Sequence, residues 1–141
     1  MTDLQSVRDE LDIQRTVHDY AWACDNADWQ LLRRLFTDDA ELDYSTTGGP
    51  AGGKEEVCAW LESSLGQVDF IHHVVSNFQI DLDGDRADVR AMFHCTLRLP
   101  GAGGVIVTGG YYREEHVRTA GGWRIRRLVE DNRWFDRALP G

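Results

Sequence analysis

The period of the apolar residues changes halfway along the chain, and this change limits the fold more than any other feature. In the first half Ile13, Val17, Tyr20, Ala21 and Cys24 recur at three- and four-residue steps. Such spacing marks one buried face of a helix, here over about 7–24. In the second half Ala87, Val89, Ala91, Phe93, Cys95, Leu97 and Leu99 alternate cleanly, the period of a strand with one buried side. Between these regions Asp25-Asn26-Ala27-Asp28 breaks the first helix, and Asp28 is placed to cap a short second one over 29–36. Ala40, Leu42 and Tyr44 alternate as a short strand, residues 46–53 form a Gly-rich loop, and a third helix over 54–65 turns Val57, Cys58, Leu61 and Leu65 inward. Strands follow over 70–82, 87–99, 105–117 and 123–132, with Gly109-Gly110 suggesting a bulge or sharp bend. Helices first and a long meander after imply an α+β fold. Its N-terminal helices pack into a strongly curved, mostly antiparallel sheet that encloses a cavity suited to a ligand.

A chain of 141 residues, 42% of them hydrophobic, can bury a core and is expected to form one domain over 1–141. Its 15 basic and 24 acidic residues leave a formal charge of −9. Nucleic acid and anionic membrane are therefore disfavoured as partners, since both require a cationic footprint. The N-terminal stretch is polar and acidic, and no apolar run approaches the ~20 residues that span a bilayer. Cys24, Cys58 and Cys95 are odd in number and widely spaced, which suits reduced, buried thiols. The expectation is a cytoplasmic protein. Lys54 is the only lysine, so Schiff-base chemistry has a single candidate, set beside two glutamates.

Among polar residues Asp25 stands out, four positions after Ala21 and eight after Val17, in line with the apolar face of the first helix. A carboxylate there must be hydrogen-bonded, and the helix macrodipole opposes its charge. The plainer alternative is that Asp25 opens an Asp-Asn turn and faces water. His72 and His73 are adjacent on a strand, so they point to opposite faces and one faces inward. A neutral imidazole oriented by a buried carboxylate is a general base suited to neutral pH, although a core histidine with satisfied hydrogen bonds has the same pattern. No His, Cys or Glu set shows metal-site spacing, and no metal or cofactor is expected. Tyr20 and Tyr44 fall at inward positions, where a phenol needs a polar partner such as a substrate oxygen or a water. Arg124 and Arg126 alternate onto the solvent face, while Arg127 shares the apolar register and Arg133 follows Asp131-Asn132. Arg127 or Arg133 could anchor a substrate carbonyl or carboxylate. The paired glycines 48–49 and 52–53 lack the spacing of a nucleotide loop, and neither a nucleophile elbow nor an activated Cys-His arrangement is present.

The string Tyr20-Ala21-Trp22-Ala23-Cys24-Asp25-Asn26-Ala27-Asp28-Trp29, then Leu42-Asp43-Tyr44, and the closing Gly121-Gly122-Trp123-Arg124-Ile125 resemble the nuclear transport factor 2-like superfamily, in its SnoaL-like branch. The resemblance covers about 11–135. It implies a cone-shaped α+β barrel and a cofactor-independent elimination enzyme, similar to the scytalone and bile acid dehydratases and the hexachlorocyclohexane dehydrochlorinases. On this resemblance Asp25 and His73 are the catalytic dyad, and Tyr20 and Tyr44 are active-site tyrosines that polarise substrate or water. The chain departs from the scytalone dehydratases in two places. Gly109-Gly110-Tyr111 stands near a second active-site histidine, and Cys24 replaces the tyrosine before the aspartate.

The function implied is a lyase that dehydrates a hydrophobic cyclic or polyketide-like hydroxy-carbonyl compound, with Trp22, Cys24, Phe93, Tyr111, Arg127 and Arg133 as substrate contacts. The same dyad could serve an isomerase or cyclase, and the same cavity could serve a non-catalytic binding protein. The partner is then a small hydrophobic substrate. A homo-oligomer is expected from the family, a trimer before a dimer.

Overall fold

A computed structural model describes residues 3–101 and 104–137. The long first helix, α1 (Leu4–Asp25), starts three residues earlier than its apolar spacing suggests, because the Asp3 carboxylate caps it by accepting the Ser6 N–H at 2.7 Å. Its buried face includes Ile13, Val17, Tyr20, Ala21 and Cys24. The helix ends where Ala27 takes a positive φ of 55° and the Asp28 N–H reaches back to the Ala23 carbonyl at 2.9 Å. Asp28 then caps α2 (Trp29–Arg34), its carboxylate accepting the Leu31 N–H at 3.1 Å.

Phe36 does not end that second helix. It opens β1 (Phe36–Asp43), because the Leu35 carbonyl accepts the Ile125 N–H at 2.8 Å and draws the chain into the sheet. The Gly-rich stretch is likewise more ordered than expected, holding a 3₁₀ turn (Ser45–Thr47) and a short β2 (Ala51–Gly53) before α3 (Lys54–Leu65). Glu55 and Glu56 in the first turn of α3 suit the positive end of its macrodipole. Four long strands follow: β3 (Phe70–Asp83), β4 (Arg86–Arg98), β5 (Ile106–Thr119) and β6 (Gly122–Arg137).

The six strands form one sheet in the order β2-β1-β6-β5-β4-β3. β1 runs parallel to β6 and all other neighbours are antiparallel. The sheet is curved but open, with β2 and β3 as free edges, so the cone is not a closed barrel. The β5–β6 register breaks at Gly109-Gly110 as the glycine pair suggests, but the extra residue is Arg133 on β6, and β5 itself stays in unbroken register with β4. A Cβ on Gly110 would meet the Asp131 carbonyl oxygen closer than any real contact, so this turn of the strand requires glycine.

Helix α1 packs on β3 and β6. A polar clamp holds its N-terminal half. Asp9, buried on α1, accepts two bonds of 2.8 Å from the Arg118 guanidinium on β5 and one of 3.1 Å from the Trp123 indole N–H on β6. These hydrogen bonds, led by those from Arg118, hold the Asp9 carboxyl far below the usual carboxylate range. Two apolar clusters fill the interior. One gathers Ile13, Val17, Ala87, Val89, Ala91 and Trp123; the other centres on Tyr20, Tyr44, Phe93 and Tyr112.

Candidate active site

Asp25 is the last residue of α1, and the start of β3 passes beside it. Because β3 is an edge strand, alternate backbone N–H groups have no strand to bond on their outer side. The N–H of His73 is one of these, and it donates to Asp25 Oδ2 at 2.9 Å. The other carboxylate oxygen, Oδ1, lies 2.6 Å from His73 Nδ1. The carboxylate thus grips one residue twice, fixing both the strand and the ring. This double bond pattern offsets the unfavourable position of a negative charge at a helix C-terminus. The His73 and Asp25 side chains are only 7% and 14% exposed. Among the described residues the side-chain hydrogen bond of His73 runs through Nδ1 to Asp25, and none is seen at Nε2.

A file of aromatic rings leads inward from the imidazole. Tyr20 stands edge-on to His73 with centroids 6.5 Å apart, and edge-on to Tyr112 at 5.4 Å. Tyr112 stacks on Phe93 at 4.5 Å. The Tyr20 and Tyr44 hydroxyls are hydrogen-bonded to each other. Burial, reinforced by neighbouring acidic groups, pushes all three phenols well above their ordinary range, so they remain protonated donors. Glu130, on β6 opposite Tyr112, is buried and accepts a 2.8 Å bond from the Thr47 hydroxyl. Burial pushes its carboxyl up to about 7. The three cysteines are buried thiols. Burial drives Cys24 far up, Cys95 to about 12 and Cys58 to about 11, so none offers a thiolate at neutral pH.

Of the residues singled out in the sequence, Asp25, His73, Tyr20 and Tyr44 converge, with Cys24 and Phe93 in the buried cluster beside them. The rest do not lie in that cluster. Trp22 is 63% exposed. Tyr111 faces the outer side of β5, where Arg90, Arg113 and Arg133 surround its ring at 5.9, 5.8 and 5.7 Å, because adjacent strand residues alternate and Tyr112 takes the inward place. Arg127 is exposed, since a second break in the β5–β6 register at Glu115/His116 turns Arg126 and Arg127 both outward. Arg133 is exposed and paired with Asp131 at 3.0 Å.

Tyr112, Glu114, His116 and Glu130 are interior residues that the sequence reading missed. An alternating Tyr-x-Glu-x-His looks like the solvent side of a strand. Their inward side follows from the unbroken β4–β5 pairing, which sets Tyr112, Glu114 and His116 beside the buried Ala91, Val89 and Ala87. Two clefts, of about 570 and 510 Å³, lie elsewhere, one spanning β3, β4, β5 and β6 and one along β1, β2 and β6; neither is lined by Asp25 or His73. Among the described residues no group of three or more His, Cys, Asp or Glu side chains is arranged to hold a metal ion, and no helix is long and apolar enough to cross a membrane.

Residues 5–129 match the family model of the SnoaL-like domain. The chain belongs to the SnoaL-like domain family. An uncharacterized protein of Mycobacterium tuberculosis is 36% identical over 133 residues, covering 92% of this chain and 89% of its own. Among solved structures, a candidate scytalone dehydratase from Novosphingobium aromaticivorans superposes with a TM-score of 0.85 at 26% identity, covering 96% of this chain and 91% of that one. A hexachlorocyclohexane dehydrochlorinase from Novosphingobium barchaimii superposes with a TM-score of 0.85 at 19% identity, covering 97% and 94% of the two chains. The latter likeness speaks for the SnoaL-like fold alone. Both of these structures carry names of elimination enzymes.

Proposed function

We propose that this protein is a cofactor-independent lyase that removes water from a neutral, hydrophobic cyclic or polyketide-like hydroxy-carbonyl compound. The observation that carries the reading is the double grip of Asp25 on His73, with no hydrogen bond seen at Nε2 among the described residues. With its Nδ1–H donated to Asp25, the imidazole presents the Nε2 lone pair as a base. Nε2 takes a proton from the carbon beside the substrate carbonyl, and the Asp25 carboxylate stabilises the imidazolium that forms. A Tyr20 or Tyr44 hydroxyl, directly or through water, donates to the developing enolate oxygen. The enolate then re-forms its carbonyl, the carbon–oxygen bond to the hydroxyl breaks, and the leaving hydroxide takes the proton held by His73. The products are an unsaturated carbonyl compound and one water.

The charge of the interior supports a neutral substrate. Among the described residues the buried polar and charged side chains are Asp9, Thr16, Glu114, His116 and Glu130, with no Lys or Arg. An anionic ligand would meet carboxylates without a permanent cation to pair with.

The test is a panel of neutral cyclic hydroxy-carbonyl compounds followed by mass spectrometry. A product lighter by one water is expected, with kcat lowered by about 10²–10⁴-fold in folded His73→Ala and Asp25→Asn variants. Near-wild-type turnover by either variant contradicts the assignment. A product of unchanged mass points to isomerisation instead.

A further inference from the structure

Helix α1 buries one face and carries apolar side chains on the opposite one. Leu4, Val7, Leu11 and Trp22 are 84%, 44%, 60% and 63% exposed, and they make up half of the exposed large apolar side chains among the described residues. Their spacing gathers them. At about 3.6 residues per turn Trp22 stands five full turns from Leu4, and Leu11 and Val7 fall within about 60° of the line joining the two. His18 lies on the same side and is exposed, its ring edge-on to Phe78 at 5.3 Å. The buried Ile13 and Tyr20 project about 160–180° away, into the core. Single exposed leucines are ordinary. A stripe at three- and four-residue steps along a helix of 22 residues, about 33 Å, has the form of a helix-packing seam without its partner.

The charges beside the stripe say what covers it. Along one rim run Arg8, Asp12, Arg15 and Asp19, and none of the four takes part in an ion pair among the described residues. Their signs alternate at steps of four, three and four residues. Two copies of a helix that lie antiparallel about a two-fold axis bring the same rim of each side by side. Reversed, the series reads Asp19, Arg15, Asp12, Arg8, so every charge comes level with an opposite one. Arg8 meets Asp19 of the second copy, and Arg15 meets its Asp12. In that register each Trp22 lies across from the Leu4 of the other helix, and the two macrodipoles oppose. A parallel pair would set this rim against the other one, where Glu10 and Gln14 stand and no cation does. An anionic lipid surface is disfavoured, since α1 carries Arg8 and Arg15 against five carboxylates.

We propose that the exposed face of α1 is a docking surface for the same face of a second copy, the two helices packed antiparallel about a two-fold axis. The contact is one helix wide, at the low end of specific interfaces, so the pair forms and separates in the micromolar range. Its residues lie apart from Asp25 and His73, and the proposal does not depend on the dehydratase reading.

Sedimentation velocity on the full chain at about 100 μM tests it. The mass of the wild-type particle is expected to halve in Leu11→Glu. Two double variants make the rim single-signed: Arg8→Asp with Arg15→Asp leaves it acidic, and Asp12→Arg with Asp19→Arg leaves it basic. Each alone is expected to weaken self-association at least about tenfold, and mixing the two in equal amounts to restore the wild-type mass. Far-UV circular dichroism checks that α1 persists in each. Should a rim variant fail to fold, Trp22→Glu, at the other end of the stripe, is expected to halve the mass as Leu11→Glu does. A monomeric wild type overturns the proposal, as does a Leu11→Glu particle of unchanged mass or a pair of folded rim variants that do not recombine. Wild-type binding to phosphatidylcholine vesicles that Leu11→Glu abolishes, without any change of mass, assigns the face to lipid and overturns it too. His73→Ala is expected to leave the mass unchanged, so a failure here is separable from a failure of the dyad.

Discussion

Asp25 ends a helix at the pole that repels its charge, and it is held there by two bonds to a single residue on an edge strand. This explains why its neutral isostere is informative. In Asp25→Asn one oxygen remains, and the His73 backbone N–H requires it. The amide NH₂ then faces Nδ1, which must become the acceptor, and the ring proton moves to Nε2. The base disappears while the fold persists, so the variant is expected to melt within a few degrees of wild type but to turn over substrate about 10²–10⁴-fold more slowly. Thermal melting and steady-state kinetics on the same preparation check both halves. Asp25 and His73 were legible in the sequence because a polar residue in an apolar period is conspicuous. Tyr112 was not, since Tyr111 and Tyr112 are equivalent by alternation until pairing with β4 sets Tyr112 beside the buried Ala91.

At the level of elements, the position of the site depends on the angle at which α1 crosses the sheet. The far end of that helix is set by Asp9, Arg118 and Trp123. Asp9→Ala strands the buried Trp123 indole N–H, at a cost of about 1–3 kcal/mol. Asp9→Asn keeps an acceptor and is expected to cost less. Urea unfolding measures the difference, and equal losses in the two variants would show that the indole bond is not what matters. The depressed Asp9 carboxyl contributes stability that is present above the unfolded carboxylate range and is lost as pH falls through it. The helices and long strands could be read from period alone. The start of β1 could not, because a long-range bond from Ile125 to the Leu35 carbonyl decides it. Arg127 was misplaced for a similar reason, a register break that depends on the partner strand.

Across the whole molecule, the formal charge of −9 divides into an exposed acidic coat and a few interior carboxylates with distinct behaviour. Glu130 is the clearest. Its carboxyl is raised by burial from 4.5 to about 7, so between those values the folded chain holds a proton that the unfolded chain has lost. Its contribution is fully present below 4.5 and disappears as pH rises through about 7, a change of about 3 kcal/mol. Wild-type unfolding free energy is therefore expected to fall across this window, and Glu130→Gln to flatten that slope. An identical slope in the variant contradicts the assignment. Burial also governs the thiols. Cys24, Cys58 and Cys95 are expected to resist iodoacetamide in the native protein and to react rapidly in denaturant, as intact-mass measurement would show. Fast alkylation of the native chain would mean that the cluster around the dyad opens readily.

The orientation of His73 is the point on which the proposed chemistry turns, and ¹⁵N NMR of the imidazole reads it without a substrate. Wild-type protein at neutral pH is expected to show a protonated Nδ1 and an unprotonated Nε2, with the two reversed in Asp25→Asn. A wild-type ring carrying its neutral proton on Nε2 would contradict the account, because the nitrogen facing the substrate would then have no lone pair with which to take a proton.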